Sequence, residues 1–149
     1  MTSLPHPSRA SSRWANSAIV LELLLALGAL GGGAALMAGP RGEIIPLPVS
    51  ALSGSPFADY FIPGAVLFTA LGVGPLAAAL LAQRRHRVAP LATVLVGLTL
   101  VVWLGVEIAI VGYSNDPPLQ AIYLVLGLVI VTLGTAWMLR ARHADAPHA

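Results

Sequence analysis

The sequence contains four long stretches that are almost free of charged residues. They cover about residues 18–38, 60–82, 88–111 and 118–139, and the only charges inside them are Glu22 and Glu107. An α-helix needs roughly 20 apolar residues to cross a hydrocarbon core about 30 Å thick. Each stretch meets this requirement, so the sequence predicts four membrane-spanning helices.

Composition excludes most other classes of protein. The chain is 57% hydrophobic and 9% charged, whereas a soluble domain is about 45–50% apolar and about 25% charged. There is no cysteine, which excludes a disulfide-stapled domain, a cysteine-ligated zinc site and an iron–sulfur cluster. No basic surface interleaved with aromatic residues is present, so we expect no nucleic-acid partner.

The predicted fold class is all-α, a transmembrane four-helix bundle over residues 17–139. Residues 1–16 and 140–149 are predicted tails, and residues 39–59 form a long outer loop between helices 1 and 2. That loop is too apolar to be solvated and contains too many prolines to span a bilayer. We therefore expect it to lie on the membrane surface or to fold over the bundle mouth.

Local signals predict the shape of the second helix. Ser55 and Pro56 fit an N-cap and first-turn pair, which would place Asp59 in the first turn, where the helix dipole favours a carboxylate. Pro75 follows two glycines and predicts a bend in the half of the helix nearer the basic turn.

The arginines determine the predicted orientation. Seven of the eight arginines lie on one side of a four-span protein, and only Arg41 lies on the other. Cytoplasmic segments carry the excess of basic residues, so both termini are predicted to be cytoplasmic (N-in/C-in). The run of Arg84, Arg85 and Arg87 is most simply this topology signal, and it can also contact anionic lipid headgroups.

Small residues are expected to bring the helices together, because lipid tails are as apolar as leucine and provide no hydrophobic driving force. Gly28, Gly32 and Gly33 lie in the first span, and Gly127 and Gly134 share a face of the fourth. Two interpretations stay open. These faces pack within one bundle, or the Gly28–Gly33 cluster forms a homo-oligomer interface.

Polar and aromatic residues gather at the predicted outer side. Glu107 lies four or five residues inside the end of the third span, at a depth where ionisable residues usually face the bundle interior. Trp103 lies one turn away, while Gln120 and Tyr123 share a face of the fourth span. Arg41 is the cation on this side, and its candidate partners are Glu107, Glu43, Asp59 and Asp116.

This outer group also allows two interpretations. The first is an outward-facing ligand pocket formed by Glu107, Trp103, Gln120, Tyr123, Tyr113, Arg41 and Asp59. The second is an aromatic belt with one interhelical hydrogen bond, accepted by Glu107 from Gln120 or Tyr123.

Glu22 lies near the start of the first predicted span. A carboxylate near a helix N-terminus is favoured by the helix dipole, and it can reach the interface or pair with Arg13 or with an arginine of the 84–87 run. We therefore predict a structural role for Glu22.

No pattern typical of catalysis or metal binding is present. The histidines lie in the tails or in the turn between spans two and three, and there is no G-x-S-x-G, H-E-x-x-H or phosphate-binding glycine motif. We predict a protein that is not an enzyme and that holds no metal or cofactor.

Several motifs carry a resemblance to a known group of proteins. They are GSPFADY at 54–60, PG at 63–64, GVGPL at 72–76, Trp103 with Glu107, and LQAIY at 119–123. With them the chain resembles, over most of residues 20–137, a family of small, uncharacterised bacterial four-helix integral membrane proteins. Its layout is also distantly similar to DoxX-like proteins, in which a glycine-rich second span ends at a basic turn. The resemblance implies the fold and adds no catalytic residue.

These observations predict a small multi-pass protein of a bacterial inner membrane. Its predicted function is that of a non-enzymatic accessory or interaction subunit, whose partners are the lipid bilayer and either another membrane protein or a second copy of the chain. The alternative is a binder or carrier of a small amphipathic or lipid-like molecule in the pocket around Glu107.

Single cysteines test the predicted orientation, since the chain has none of its own. In intact cells, S53C in the predicted outer loop should react with a membrane-impermeant maleimide. H86C, in the predicted cytoplasmic turn, should react only after the cells are broken. The reverse pattern would contradict cytoplasmic termini.

Overall fold

The computed structural model describes residues 9–113 and 118–144. These residues form four long helices, α1 (Arg9–Ala38), α2 (Phe61–Gln83), α3 (Ala89–Val111) and α4 (Leu119–Ala144). A short 3-10 helix covers Val49–Leu52. Each long helix has the length and hydropathy needed to cross a membrane. The predicted all-α fold with four membrane-type helices is therefore confirmed.

The four helices form a ring of neighbours. α1 packs along α2, α3 packs along α4, and α2 contacts α3, whereas α2 and α4 lie diagonally opposite and do not touch. The contact between α1 and α4 is less extensive than the contact within either hairpin. We call the end where α1 begins and α4 ends the basic end, and the end with residues 39–60 the loop end.

Glycines set the distance between the two helices of each hairpin. In the α1–α2 hairpin, a Cβ atom built on Gly33 would lie 2.7 Å from the carbonyl oxygen of Gly64. In the α3–α4 hairpin, a Cβ atom built on Gly97 would lie 2.7 Å from the backbone nitrogen of Val131, and one on Gly134 would lie 2.9 Å from that of Val94. Only glycine fits at such distances, so backbone contacts backbone within both hairpins.

Most glycines of the first span contact other helices of the same bundle. Gly33 contacts α2, and a Cβ atom on Gly28 would lie 3.1 Å from the hydroxyl oxygen of Tyr123 in α4. Gly31 alone among them faces open space. This placement favours packing within one bundle over a homo-oligomer interface at the Gly28–Gly33 cluster.

Three apolar clusters fill the interior along the bundle axis. The central cluster consists of Leu25, Ala29, Leu71, Ala78, Val96, Leu100, Leu104 and Ile130. The basic-end cluster consists of Ala15, Ala18, Ala82, Ala89 and Trp137. The loop-end cluster consists of Leu36, Leu52 and Tyr60.

A π-helix interrupts α2. It covers Leu67–Val73, between α-helical segments over Phe61–Val66 and Gly74–Gln83. Pro75 has no N–H group, and in a regular α-helix its ring would clash with the carbonyl of Leu71 four residues earlier. The wider π turn relieves this crowding, and the Gly74 N–H bonds to the Thr69 carbonyl five residues earlier. The sequence predicted a bend at Pro75. The structure accommodates this proline with a π-helix, which the sequence did not predict.

The start of α2 differs from the prediction. The helix begins at Phe61, not at Ser55 and Pro56, so Asp59 precedes the first turn. The Asp59 carboxylate accepts the N–H of Phe61 at 3.0 Å, which satisfies one of the free donors at the helix start. Ser55 accepts the N–H of Phe57 in a separate turn.

Residues 39–60 fold over the loop end. Tyr60 is 5% exposed, and its hydroxyl donates to the carbonyl of Pro48 at 3.0 Å. Ile45 and Phe57 of the loop and Ile110 of α3 pack against the loop-end cluster. The loop therefore joins the ends of α1, α2 and α3.

The glycine contacts make a specific prediction for α3. G97A should lower the free energy of unfolding by about 1–3 kcal/mol, because the new methyl group meets the α4 backbone. G105A, on the same helix, has no atom within 4 Å of the new Cβ and should be neutral or stabilising by about 0.5–1 kcal/mol. Unfolding in detergent micelles would measure both, and equal effects would contradict the close approach of α3 and α4.

Candidate functional site

Glu107 bonds to the neighbouring helix at the loop end. Its side chain is half-buried, and its Oε1 accepts a hydrogen bond from Nε2 of Gln120 at 3.2 Å. Gln120 is 7% exposed, and the same Nε2 also donates to the carbonyl of Gly112 at 3.1 Å. This is the interhelical hydrogen bond of the second interpretation, and it connects α4 to the end of α3.

Two of the three aromatic residues of the predicted pocket face the bundle interior. Trp103 and Tyr123 are half-buried and pack against the central cluster. The Tyr123 hydroxyl lies beside Gly28 of α1. In this arrangement both rings contribute to helix packing near Glu107.

The remaining residues of the predicted pocket do not join Glu107. The guanidinium of Arg41 is exposed and, among the described residues, forms no ion pair with Glu107, Glu43 or Asp59. Asp59 accepts the N–H at the start of α2, and Tyr113 is 52% exposed. Asp116 lies outside the described residues. The pocket therefore stays a prediction.

A groove runs along α4 on the side that faces α1. It has a volume of about 400 Å³ and is lined by Trp14, Val125, Leu128, Val129, Thr132, Leu133 and Ala136. It contains none of the residues of the predicted pocket. At the basic end, the guanidinium carbon of Arg140 lies 4.9 Å from the centre of the Trp14 ring, so a cation–π contact joins α1 to α4 there.

The basic turn matches the expected pattern of exposure. Arg84, Arg85 and Arg87 are all exposed at the basic end. Arg85 has a φ of 52°, a left-handed conformation that a tight turn requires of one residue. The three side chains are therefore accessible to a lipid headgroup region at this end.

Glu22 is the polar residue whose environment the sequence analysis missed. The prediction that it lies at a helix N-terminus and reaches the interface or an arginine is wrong. α1 begins at Arg9, so Glu22 lies well beyond the first turn, where the dipole effect has faded. The side chain is 0% exposed, and neither carboxyl oxygen accepts a hydrogen bond from the part of the chain that the structure describes.

Glu22 and Thr93 form a polar layer between two apolar clusters. On α1, Glu22 lies between Ala18 of the basic-end cluster and Leu25 of the central cluster. On α3, Thr93 lies in the same way between Ala89 and Val96 and is also 0% exposed. Thr93 is the polar neighbour of the Glu22 carboxyl group in this buried layer.

The Thr93 hydroxyl donates its hydrogen bond within α3. It donates to the carbonyl of Ala89 at 3.1 Å, one turn earlier in α3. The Thr93 oxygen therefore faces the Glu22 carboxyl mainly as an acceptor.

A sequence signal for this environment does exist. Ala18, Leu25 and Ala26 lie one turn before and one turn after Glu22, on the same helical face, and all three are buried. Small residues on both sides of an acidic residue indicate an inward-facing position, because the close packing they allow leaves no route for the side chain to reach the interface.

The chain matches no protein-family model, no curated protein and no solved structure. The resemblance to small bacterial four-helix membrane proteins therefore stays a prediction from sequence motifs.

The different environments of the two acidic residues predict opposite effects of one substitution. E22M should raise the free energy of unfolding by about 1 kcal/mol or more, because it replaces a buried carboxyl group, whose oxygens accept no hydrogen bond from the described residues, with an apolar side chain. E107M should lower it by about 0.5–1.5 kcal/mol, because it removes one of the acceptors of Gln120. Detergent unfolding of both variants would measure the difference, and a loss of stability in E22M would contradict the prediction.

Proposed function

We propose that the chain is a multi-pass protein of a bacterial inner membrane with its basic end in the cytoplasm. Support comes from the position of the described arginine side chains. Those at the basic end are Arg13, Arg84, Arg85, Arg87, Arg140 and Arg142, whereas Arg41 lies at the loop end. This is the distribution that the positive-inside rule associates with a cytoplasmic side.

Within that membrane, the proposed function is that of a non-enzymatic accessory subunit that binds a helix of another membrane protein. The observation that carries the proposal is the contrast between the contacts of α1 and α4. Each is held to one neighbour by glycines at backbone contact, while the contact between them is limited and leaves an open groove.

The groove has the properties that a partner helix requires. Its lining is apolar except for Thr132, and it includes the small residue Ala136 beside branched side chains. In a bilayer, helices associate through close van der Waals packing and occasional interhelical hydrogen bonds. A helix seated between α1 and α4 would gain both kinds of contact, the second from the Thr132 hydroxyl, which now donates to the carbonyl of Leu128 at 2.8 Å.

The alternative function is a binder of a small amphipathic molecule around Glu107. A polar group of such a ligand would have to replace Gln120 as the donor to the Glu107 carboxylate. The groove lies elsewhere, along the face of α4 towards α1, and therefore supports the accessory subunit more directly.

A photocrosslinker attached to single cysteines tests the proposed partner surface. Thr132 lies in the groove on α4, and Leu95 of α3 is exposed at about the same depth, since Gly97 contacts Val131. In native membranes, a benzophenone on T132C should form an adduct with another protein, whereas the same group on L95C should label lipid only.

A filling substitution provides the matched control. T132W should abolish the protein adduct of a probe at V125C, and L95W should leave it unchanged. An adduct at twice the 15.3 kDa chain mass would identify a second copy as the partner. Equal labelling from T132C and L95C, or lipid adducts alone, would contradict the proposal.

A further inference from the structure

The carboxyl group of Glu22 is buried in the bundle, and none of the described residues places a countercharge beside it. Among the described residues, α2 presents alanines at this level, and α3 presents Thr93. On each helix, the charged or titratable groups nearest to the level of Glu22 are exposed at the basic end. They are Arg13 on α1, Arg84, Arg85, His86 and Arg87 after α2, and Arg140 on α4.

An ionised carboxylate is not compatible with this environment. Moving an isolated charge into a low-dielectric interior costs several kcal/mol, and such groups adopt the neutral form instead. The neutral acid has one O–H to donate, and the oxygen of Thr93 faces it as an acceptor whose own hydrogen is bonded to Ala89.

We propose that Glu22 is a proton-binding site, which holds its proton as a neutral carboxylic acid donating to Oγ1 of Thr93. The proton is the ligand of the site, and Thr93 positions it between α1 and α3. These two helices are diagonal in the bundle and share few contacts. Loss of the proton would leave a buried charge at this point and loosen the packing of the two hairpins.

The access route for the proton lies on the basic side of the layer. Apart from Trp137, the basic-end cluster consists of alanines, whereas the central cluster on the other side contains several leucines, a valine and an isoleucine. From Ala15 to Glu22 is about 10 Å along the helix axis at 1.5 Å per residue. Small side chains over two turns form the thinner barrier to water, so exchange is expected from the basic end.

Infrared spectroscopy of the full chain in lipid vesicles tests the protonation state. The difference spectrum between wild type and E22Q at neutral pH should contain the carbonyl stretch of a neutral carboxylic acid. T93V should shift that band to higher wavenumber, because the O–H of the Glu22 acid loses its hydrogen-bond acceptor. T93S keeps a hydroxyl oxygen at this position and should restore the band. A carboxylate doublet at neutral pH in place of the acid band would overturn the proposal.

Deuterium exchange and titration test whether the proton is exchangeable. In D₂O the acid band should move to lower wavenumber, and raising the pH should convert it to carboxylate bands, because the neutral form is the one present at low pH. A band that never shifts in D₂O would show that solvent does not reach the Glu22 proton, and it would overturn the assignment of a proton-binding site.

A hydrophobic carbodiimide provides an independent chemical readout. The acid proton transfers to one carbodiimide nitrogen and a carboxyl oxygen bonds to the central carbon, and the resulting O-acylisourea rearranges to a stable N-acylurea that retains all atoms. Peptide mass analysis should find dicyclohexylcarbodiimide on Glu22 in wild type and in E107Q, with loss of the label in E22Q. Labelling of Glu107 in preference to Glu22 would count against the site.

Discussion

The rest of the structure depends on backbone contact between helices at glycine positions. In a bilayer, apolar side chains gain nothing from leaving lipid for a helix interface, so association relies on how closely the helices approach. Gly33 with Gly64, and Gly97 with Val131, bring the backbones together in the two hairpins. Each hairpin is therefore a closely packed unit, whereas the contact between α1 and α4 is less extensive.

Close packing also explains how a carboxyl group is enclosed. The residues around Glu22 on α1 and α2 are mainly alanines, which bring the helices near enough to cover a long side chain completely. The Glu107 carboxylate lies at the loop end, where Gln120 in the first turn of α4 donates a hydrogen bond to it. The two glutamates therefore have opposite environments. Glu22 lies where neighbouring helices cover it, whereas Glu107 lies near the end of α3.

Hydropathy was sufficient to predict the spans, because bilayer thickness determines helix length. The second span was predicted over 60–82 and is Phe61–Gln83, and the third over 88–111 and is Ala89–Val111. α1 begins at Arg9 because its polar first turns contain no helix-breaking residue, and this earlier start is why Glu22 was misplaced. The Glu107–Gln120 bond was one of the two hydrogen bonds predicted for Glu107, because Glu107 and Gln120 lie at the same level of consecutive spans. The burial of Glu22 depends on which helix faces pack together, and the sequence of a single span does not contain that information.

The π-helix in α2 would affect how this chain aligns with any homologue. A π turn holds one residue more than the α-helical turn it replaces. Leu67–Val73 therefore behaves like a one-residue insertion absorbed within a span. A homologue that lacks a proline at the position of Pro75 would not need that extra residue, so an alignment with such a sequence should permit a single-residue gap inside this transmembrane helix. Without that gap, Ala78 and Ala82 would be matched to lipid-facing positions of the homologue.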